Sequence, residues 1–270
     1  MIKIDCIERD VALVREKSPL IHSITNYVVM NNTANALLAI GASPVMAHAV
    51  DEVAEMTGMA SALVINIGTL DAEWVEAMLI AGKRALAGRI PVVFDPVGAG
   101  ATTYRTKVSR RIMEECKPSV IRGNASEIIA LYHAGVQTKG VDATDSSESA
   151  LIPAKTLARQ TGAVVVVSGE TDYITNGEDV ETVENGSPLM ARVTGMGCTA
   201  TALVAAFAAI NSDMLYASAH AMAIMGIAGE IAASHSRGNG SLQVGFLDEL
   251  CTVDGETIRK NLRQTCYKTV

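Results

Sequence analysis

Short, continuously apolar runs recur along this sequence, and they restrict its fold more than any other feature. The four runs are residues 61–68, 90–95, 119–122 and 163–168. Continuous apolarity, rather than alternation of apolar and polar residues, is typical of strands covered on both faces, as in a parallel sheet. The helical patterns between the runs are residues 71–87, 109–116 and 126–132. We therefore predict an α/β fold, a three-layer α/β/α sandwich with a mostly parallel central sheet.

The composition indicates a single domain with a closely packed core. Of the 270 residues, 49% are hydrophobic and only 4% are aromatic, so aliphatic and small side chains must fill the interior. No internal repeat or low-complexity linker divides the chain, and we predict one domain over residues 1–270. Residues 138–149 are polar and acidic and are predicted to form a surface loop or the start of a helix. Further predicted elements are buried helices at 27–40, 199–210 and 217–234, and a hairpin that starts at 172–177.

The charge and the cysteines limit the partners and the compartment. A net charge of −7 argues against nucleic acid as a partner, because nucleic-acid binders normally carry a basic face. The five cysteines form no C-x-x-C pair, and the N-terminus has no signal-peptide pattern. The apolar stretches are too short and too rich in small residues to predict a membrane span. We predict a cytoplasmic protein with reduced thiols and no membrane partner.

A glycine-rich turn occupies residues 193–200, VTGMGCTA, directly before an alanine-rich segment. Gly195 and Gly197 would let a ligand approach the backbone, and the first N–H groups of a helix favour an anion. The pattern therefore predicts a phosphate site, although a glycine turn that serves only close packing fits it equally well. The residues also match the dinucleotide fingerprint G-x-G-x-x-A. That interpretation is weaker, because the strand before the turn and the acid-ended strand after it are both missing.

Cys198 lies where this turn becomes a helix. A thiol at a helix N-terminus can have a lowered pKa, whereas a bound phosphate would oppose that effect. We interpret Cys198 as a weak general base for a substrate hydroxyl. The alternative is a small hydrophobic residue of the core, which is what most buried cysteines are.

Polar residues follow the predicted strands. Asp95 ends the second run, and Arg122 ends the third, with Glu127 shortly after it. Ligands of open α/β sheets bind at the carboxyl ends of strands, where two carboxylates suit a hydrated Mg²⁺ and an arginine suits a phosphate. The structural alternative is a set of turn and helix caps, with Ser126 capping the helix. Ser168 ends the fourth run, where it could meet a nucleotide.

Several widespread catalytic patterns are missing from the sequence. There is no G-x-x-x-x-G-K-[S/T], so the chain is not a P-loop kinase, and there is no H-E-x-x-H or G-x-S-x-G. The five histidines lack the spacing of a metal site. Any phosphate that this acidic protein binds must be met by local groups, backbone N–H groups or a metal, because no overall positive field attracts it.

Taken together, these segments resemble the hydroxyethylthiazole kinase family of the ribokinase-like superfamily. The matching stretches are residues 24–46, 95–102, 121–128 and 193–198. The first stretch is the specific one, because the other three have counterparts across the superfamily. The resemblance covers nearly the whole chain. It implies that ATP, with Mg²⁺, phosphorylates the hydroxyl of 4-methyl-5-(2-hydroxyethyl)thiazole, and that the protein is a homotrimer with the thiazole sites at subunit interfaces.

The resemblance also implies a role for individual residues. By motif match these are Asn26, Met46 and Gly195 for the thiazole, Arg122, Ser168 and Gly197 for ATP, Asp95 and Glu127 for Mg²⁺, and Cys198 as the catalytic base. Three positions depart from the common pattern. Ser168 stands where Thr is frequent, Met196 stands where a smaller residue is common, and Cys198 stands where the wider superfamily has Asp.

Other functions remain open at this point. A related hydroxymethylpyrimidine or pyridoxal kinase would share the fold, although residues 26–46 argue against it. An ATP-dependent NAD(P)H-hydrate dehydratase has the same fold. A third class is a non-catalytic, trimeric ligand-binding or regulatory protein, which the joint presence of Asp95, Arg122, Glu127 and Cys198 makes less favourable.

Overall fold

The structure, a computed structural model, describes residues 2–135 and 146–265. The α-helices in these residues are α1 Ile4–Lys17, α2 Met30–Ile40, α3 Val53–Met59, α4 Ala72–Gly88, α5 Thr103–Cys116, α6 Ala125–Gly135, α7 Leu151–Thr161, α8 Met196–Ala208, α9 Met214–His235, α10 Asn239–Thr252 and α11 Gly255–Asn261. The strands are β1 Leu20–Ile24, β2 Ser43–Val45, β3 Ala62–Asn66, β4 Val92–Asp95, β5 Val120–Asn124, β6 Val164–Ser168, β7 Asp172–Thr175 and β8 Val180–Val183. A 3-10 helix, Pro188–Arg192, precedes α8. Residues 138–145 of the predicted surface loop lie outside the described residues.

These strands form one sheet in the order β2-β1-β3-β4-β5-β6-β7-β8. Every pairing from β2 to β6 is parallel, and β7 and β8 are added antiparallel. One apolar core lies between the sheet and helices α1, α2 and α8 to α11, and a second lies between the sheet and helices α3 to α7. The predicted three-layer α/β/α sandwich with a mostly parallel sheet is confirmed.

The central strands form where the sequence predicted them because both of their faces are covered. All five residues of β3 are buried, and so are all four residues of β4. Val64 contributes to the first core, whereas its neighbours Leu63 and Ile65 contribute to the second. Successive side chains of a strand point to opposite faces, so a strand between two helical layers must be apolar throughout.

Helix α9 is the longest helix and is buried for most of its length. The side chain of Asp213 caps its N-terminus, where Oδ1 accepts a hydrogen bond from N of Leu215 at 3.0 Å. By length and composition alone it is the one described helix that could cross a membrane. Because it packs on α8 and α10 inside the first core, its apolar character is explained by burial in the protein.

The sequence-based boundaries differ from the structure at several helix starts. Helix α2 begins at Met30 and not at residue 27, because residues 27–29 form a turn in which N of Val29 donates to O of Asn26 at 3.3 Å. Helix α5 begins at Thr103, where Oγ1 of Thr102 caps it. Strands β1 and β2 were missed, while the hairpin of β7 and β8 is confirmed.

Candidate functional site

Six neighbouring strands carry candidate residues at their carboxyl ends. In the order of the sheet these are Met46 after β2, Asn26 after β1, Asn66 in β3, Asp95 in β4, Arg122 in β5 and Ser168 in β6. Neighbouring strands lie about 4.8 Å apart, so this row is about 24 Å long. The topology thus brings the residues predicted for substrate, metal and nucleotide to one edge of the sheet, which is the usual ligand site of open α/β sheets.

The glycine turn starts helix α8 beside this row. Gly195 is the N-cap residue and has a φ of 87°, which glycine adopts without a steric penalty. A Cβ on Gly195 would lie 2.5 Å from Cγ1 of Val29, and a Cβ on Gly197 would lie 2.8 Å from Nη1 of Arg122. The turn therefore packs closely, and it also holds the N-terminus of α8 against a guanidinium. The positive end of the helix dipole and the Arg122 cation together favour an anion here.

Arg122 has donors that the protein does not use. It is only 8% exposed. Its Nη2 donates to Oγ of Ser168 at 2.5 Å, and the Ser168 hydroxyl lies 3.3 Å from O of Gly123. The buried Nε has no hydrogen-bond partner among the described residues. Buried donors are almost always paired, so this unmet N–H suits an acceptor on a ligand, and phosphate and carboxylate oxygens are the acceptors that arginine binds strongly.

Asp95 is buried at the end of β4 and accepts two hydrogen bonds on one oxygen. Nδ2 of Asn66 and Oγ1 of Thr201 each donate to Oδ2 at 2.8 Å. Its Oδ1 accepts no side-chain hydrogen bond within the described part of the chain. Burial raises the pKa of the Asp95 carboxyl to about 6, and the Arg122 guanidinium opposes this shift. Asp95 therefore keeps one oxygen for a ligand.

Glu127 uses both carboxylate oxygens on backbone N–H groups. Oε1 accepts from N of Gly98 at 2.9 Å, and Oε2 accepts from N of Asn124 at 2.8 Å. Oδ1 of Asn124 accepts in turn from N of Glu127 at 2.9 Å, so these two residues cap α6 reciprocally. The alternative in which Ser126 caps this helix is wrong, because Asn124 occupies that position. Each oxygen of Glu127 keeps a second lone pair that can bind a water.

These carboxylates fit a hydrated Mg²⁺ and not an all-protein metal cage. No group of three or more His, Cys, Asp or Glu side chains that could hold a metal occurs in residues 2–135 and 146–265. Mg²⁺ is usually bound through one or two carboxylates, several waters and substrate phosphates. The remaining oxygen of Asp95 and the outer lone pairs of Glu127 match that kind of site.

The Cys198 sulfur lies in the first turn of α8 and contacts the amide of Asn26. Nδ2 of Asn26 donates to Sγ at 3.5 Å. Burial raises the pKa of the Cys198 thiol to about 11, and the negative charge of Asp95 adds to this shift. The lowered pKa that a helix N-terminus alone would give is therefore not found. At neutral pH nearly all of Cys198 is the neutral thiol.

An aromatic group flanks the Asn26 end of the row. The rings of Tyr27 and Trp74 have centroids 4.4 Å apart, and the His48 ring lies 4.7 Å from Trp74. Met46 is half-buried, and its carbonyl oxygen lies 3.2 Å from Nδ1 of His48. The row thus has an apolar end and, at Arg122, a cationic end. This polarity suits a ligand with a small apolar ring at one end and phosphates at the other.

Sequence reasoning missed three residues that build the site. Asn66 and Thr201 hold Asp95, as described above. Arg105 donates to O of Ile67 at 2.7 Å and to O of Val97 at 2.6 Å, so it ties the loop after β3 to the loop after β4. A signal existed for Asn66 alone. It ends β3 just as Asp95 ends β4, and the two residues are register partners.

The fold is of the ribokinase-like type. The fold is shared with pyridoxal kinase from Bacillus subtilis, solved as an ADP complex, with a TM-score of 0.58 and 18% identity over 78% of this chain and 91% of that one. At such identity the likeness concerns the fold alone.

The chain belongs to the hydroxyethylthiazole kinase family, whose sequence model matches residues 11–256. It is 56% identical over 253 residues to hydroxyethylthiazole kinase from Leptospira biflexa, covering 94% of this chain and 95% of that protein. It is also similar to the solved hydroxyethylthiazole kinase protein from Pyrococcus horikoshii OT3. That structure has a TM-score of 0.89 and 42% identity over 97% of this chain and 98% of the other.

Proposed function

We propose that this protein is a kinase that transfers the γ-phosphoryl group of ATP to the hydroxyl of 4-methyl-5-(2-hydroxyethyl)thiazole. The observation that carries the proposal is the similarity to hydroxyethylthiazole kinases over almost the entire chain, at 56% identity for the Leptospira biflexa protein. The site supports it independently. A helix N-terminus, a buried cation with an unmet donor and two carboxylates are what phosphoryl transfer requires.

The proposed reaction is an in-line displacement. The substrate oxygen forms a bond to the γ-phosphorus, the bond from that phosphorus to the bridging oxygen of ADP breaks, and the hydroxyl proton leaves the substrate oxygen. The N–H groups at the start of α8, including that of Gly197, would bind the oxygens of the transferring group. The guanidinium of Arg122, oriented by Ser168, would bind phosphate oxygens of ATP. In the loose transition state of such transfers, positioning and charge neutralisation contribute most.

We propose that Asp95 and Glu127 are the residues that would hold Mg²⁺. The ion, when bound with ATP, neutralises phosphate charge. The support is the remaining oxygen of Asp95 and the arrangement of Glu127, whose two backbone hydrogen bonds fix its carboxylate behind the loop after β4. Asp95 would be ionised in this complex, because a nearby cation favours its charged form.

The thiazole would bind at the apolar end of the row, against Asn26, Met46 and Gly195. Its hydroxyl would point toward Cys198, which lies between Asn26 and the helix N-terminus. We propose Cys198 as a weak base that accepts the hydroxyl proton. Since little thiolate exists at neutral pH, its contribution is expected to be modest, and general-base help is worth roughly 10²–10⁴-fold at most.

The alternative activities are less favoured. A hydroxymethylpyrimidine or pyridoxal kinase and an NAD(P)H-hydrate dehydratase share the superfamily fold. Family membership over residues 11–256 points instead to the thiazole alcohol.

We further propose a single ribokinase-like domain over residues 1–270, a cytoplasmic location and a homotrimer with the sites at subunit interfaces. The continuous eight-stranded sheet supports the single domain. The homotrimer rests on the family resemblance. It is supported by the exposed apolar side chains of Tyr27 and Val28, which follow Asn26 directly. We propose no nucleic-acid or membrane partner.

The substrate assignment is tested by measuring ADP release with ATP, Mg²⁺ and a panel of alcohols. We expect kcat/KM for the thiazole alcohol to exceed that for hydroxymethylpyrimidine and for pyridoxal by at least about 100-fold, which corresponds to about 2.7 kcal/mol of discrimination. Equal or better turnover of either control alcohol would contradict the assignment.

A further inference from the structure

A buried chain of hydrogen bonds joins the ends of three strands beneath Cys198. Nδ2 of Asn26 donates to Oδ1 of Asn66 at 2.9 Å, and Nδ2 of Asn66 donates to Oδ2 of Asp95 at 2.8 Å. Asn66 is fully buried, and Asn26 is 4% exposed. The proposed kinase mechanism assigns no part to Asn66. Asn66 nevertheless contacts Asn26 and Asp95, which that mechanism does use.

The direction of these hydrogen bonds is fixed by the backbone. The N–H of Gly68 can only donate, and it lies 2.9 Å from Oδ1 of Asn66. The oxygen of Asn66 therefore faces Gly68, and its nitrogen must face Asp95, which as a carboxylate can only accept. Since Oδ1 of Asn66 is an acceptor, Asn26 must turn its nitrogen toward Asn66. The orientation of the Asn26 amide thus follows from the network and is not an arbitrary choice between oxygen and nitrogen.

This orientation decides what Asn26 presents to the site. Its nitrogen is shared between Oδ1 of Asn66 and Sγ of Cys198, the latter at 3.5 Å. Its own oxygen accepts no side-chain hydrogen bond from the described residues, so it is available to a donor on a ligand. If the amide were reversed, an oxygen lone pair would face the sulfur and would disfavour the thiolate. Glycine at position 68 is part of the arrangement, because a Cβ there would lie 2.5 Å from Nδ2 of Asn26.

We propose that Asn66 is a positioning residue, which holds the Asn26 carboxamide with its N–H groups toward Cys198 and its oxygen toward the substrate. The part of this proposal that concerns the substrate rests on the proposed function. The geometry at Cys198 does not depend on turnover. Asn66 acts through Asn26 and also reaches Cys198 itself. Burial raises the pKa of the Cys198 thiol, and hydrogen bonds from the Asn66 and Asn26 side chains both oppose that shift. A merely structural Asn66 would stabilise the strand ends without any specific coupling to Asn26.

The test is a double-mutant cycle read out at Cys198. Iodoacetamide alkylation at pH 8.5 is followed by peptide mapping, with the exposed Cys251 as the monitor of reagent. We expect Asn66→Ala to change the Cys198 rate at least threefold in the wild-type background and by a factor about half as large in the Asn26→Ala background, where only the direct contact of Asn66 with Cys198 is lost. Thr201→Val is the matched control. Thr201 binds the same oxygen of Asp95 but not Asn26, so its effect should be equal in both backgrounds.

An equal effect of Asn66→Ala in the two backgrounds, or no effect in either, would overturn the proposal. If Asn66→Ala does not fold, Asn66→Ser replaces it, since the shorter side chain keeps a polar group but cannot reach Asn26. The same cycle is then measured in kcat with the thiazole alcohol, where we expect the same coupling. Absence of turnover in the wild type would refute the proposed function, while the alkylation cycle would still decide the role of Asn66.

Discussion

At the scale of single residues, burial decides what the ionisable groups of the site can do. Asp95 and Cys198 both lie near Arg122, a setting that should favour their charged forms. Burial outweighs this effect and raises the pKa of the Asp95 carboxyl to about 6 and that of the Cys198 thiol to about 11. The residue types could be taken from the sequence, but their pKa values depend on the covering helices.

Replacement of Cys198 should slow the proposed reaction without stopping it. We expect Cys198→Ala to keep measurable activity, with a loss of no more than roughly 10²–10⁴-fold, because the anion site remains. We expect Cys198→Asp to be tolerated or faster, since a carboxylate is ionised at neutral pH where the thiol is not. The check is kcat against pH from 6 to 9. The wild-type rate should keep rising with pH, because the pKa of Cys198 lies above this range, while the rate of Cys198→Asp should rise less.

A folded Cys198→Asp protein with no activity would contradict the assignment of a base at this position. Folding is checked by circular dichroism and by the temperature of unfolding, so a misfolded variant is not mistaken for an inactive one.

Asp172 should make stability depend on pH. Burial raises the pKa of the Asp172 carboxyl to about 7, opposed by the N–H of Gly169 and by Arg122. The folded state then holds the proton more tightly than the unfolded state. The stability present at low pH is therefore lost as pH rises from the unfolded pKa of about 4 to the folded pKa of about 7. Asp172→Asn cannot take part in this titration. We therefore expect its unfolding free energy, relative to that of wild type, to be about 2–3 kcal/mol higher at pH 8 than at pH 5.

Urea unfolding at the two pH values measures this gain. Asp248→Asn, on the exposed face of α10, is the control and should differ from wild type by the same amount at both values. A constant difference for Asp172→Asn as well would contradict the prediction.

At the scale of elements, helix α8 connects the candidate anion site to the core. Its N-terminus lies against Arg122, its residue Thr201 holds Asp95, and the rest of the helix is buried between the sheet and α9. Such a helix cannot shift without disturbing the core, so its first N–H groups are held in place before a ligand binds. A preorganised donor is worth more than a mobile one.

Gly197→Val should remove the proposed anion site. A Cβ at this position would lie 2.8 Å from Nη1 of Arg122, so the added side chain must displace the guanidinium or the ligand. We expect kcat/KM to fall by at least about 100-fold, the cost of losing one preorganised donor. Gly240→Val is the matched control, because Gly240 is also the second residue of a helix and has nothing within 4 Å. It should keep activity within about twofold of wild type. Normal kcat/KM in Gly197→Val would show that the turn is not the anion site.

The elements that the sequence predicted well are those whose environment is uniform. Strands β3 to β6 are apolar throughout because helices cover both faces. Strand β1 was missed because it contains the buried polar residues His22 and Ser23. His22 is accommodated by Oγ1 of Thr57 and by O of Ala47, which are 35 and 25 residues away and invisible to a local pattern. Strand β2 was missed because it is a three-residue edge strand that contains Pro44.

The site was predictable to the extent that strand ends mark it. Asp95, Arg122 and Ser168 were found because each follows an apolar run, and the topology brings them together. Thr201 could not be found, because its contact with Asp95 spans 106 residues and depends on how α8 crosses the sheet. Glu127 was found, but its two backbone hydrogen bonds and its partner Asn124 required the structure.

At the scale of the whole molecule, the proposed homotrimer concerns the exposed apolar side chains next to Asn26. Val28 is 64% exposed, and Tyr27 is 62% exposed, directly after Asn26 at the apolar end of the row. Exposed apolar residues beside a ligand site are typical of an interface. In the proposed homotrimer, a partner subunit there would complete the thiazole pocket.

Sedimentation should give a mass of about 85 kDa for the wild type, three times the 28.3 kDa of the chain. We expect Val28→Glu to lower the mass to about 28 kDa and to reduce activity, because a charge at an apolar interface is costly to bury. Ile152→Glu, on α7 and 77% exposed, is the matched control and should stay at about 85 kDa. A wild-type mass of one chain, or dissociation by both variants alike, would contradict the proposed interface.

The central claim is tested most directly by the identity of the product. ATP, Mg²⁺ and 4-methyl-5-(2-hydroxyethyl)thiazole are incubated with the enzyme and followed by ³¹P NMR, with hydroxymethylpyrimidine in a parallel sample. The account predicts a phosphate monoester of the thiazole alcohol that grows in equal amount with ADP, and little ester in the parallel sample. ADP that forms with inorganic phosphate and no thiazole ester, or an ester that forms only with hydroxymethylpyrimidine, would contradict it.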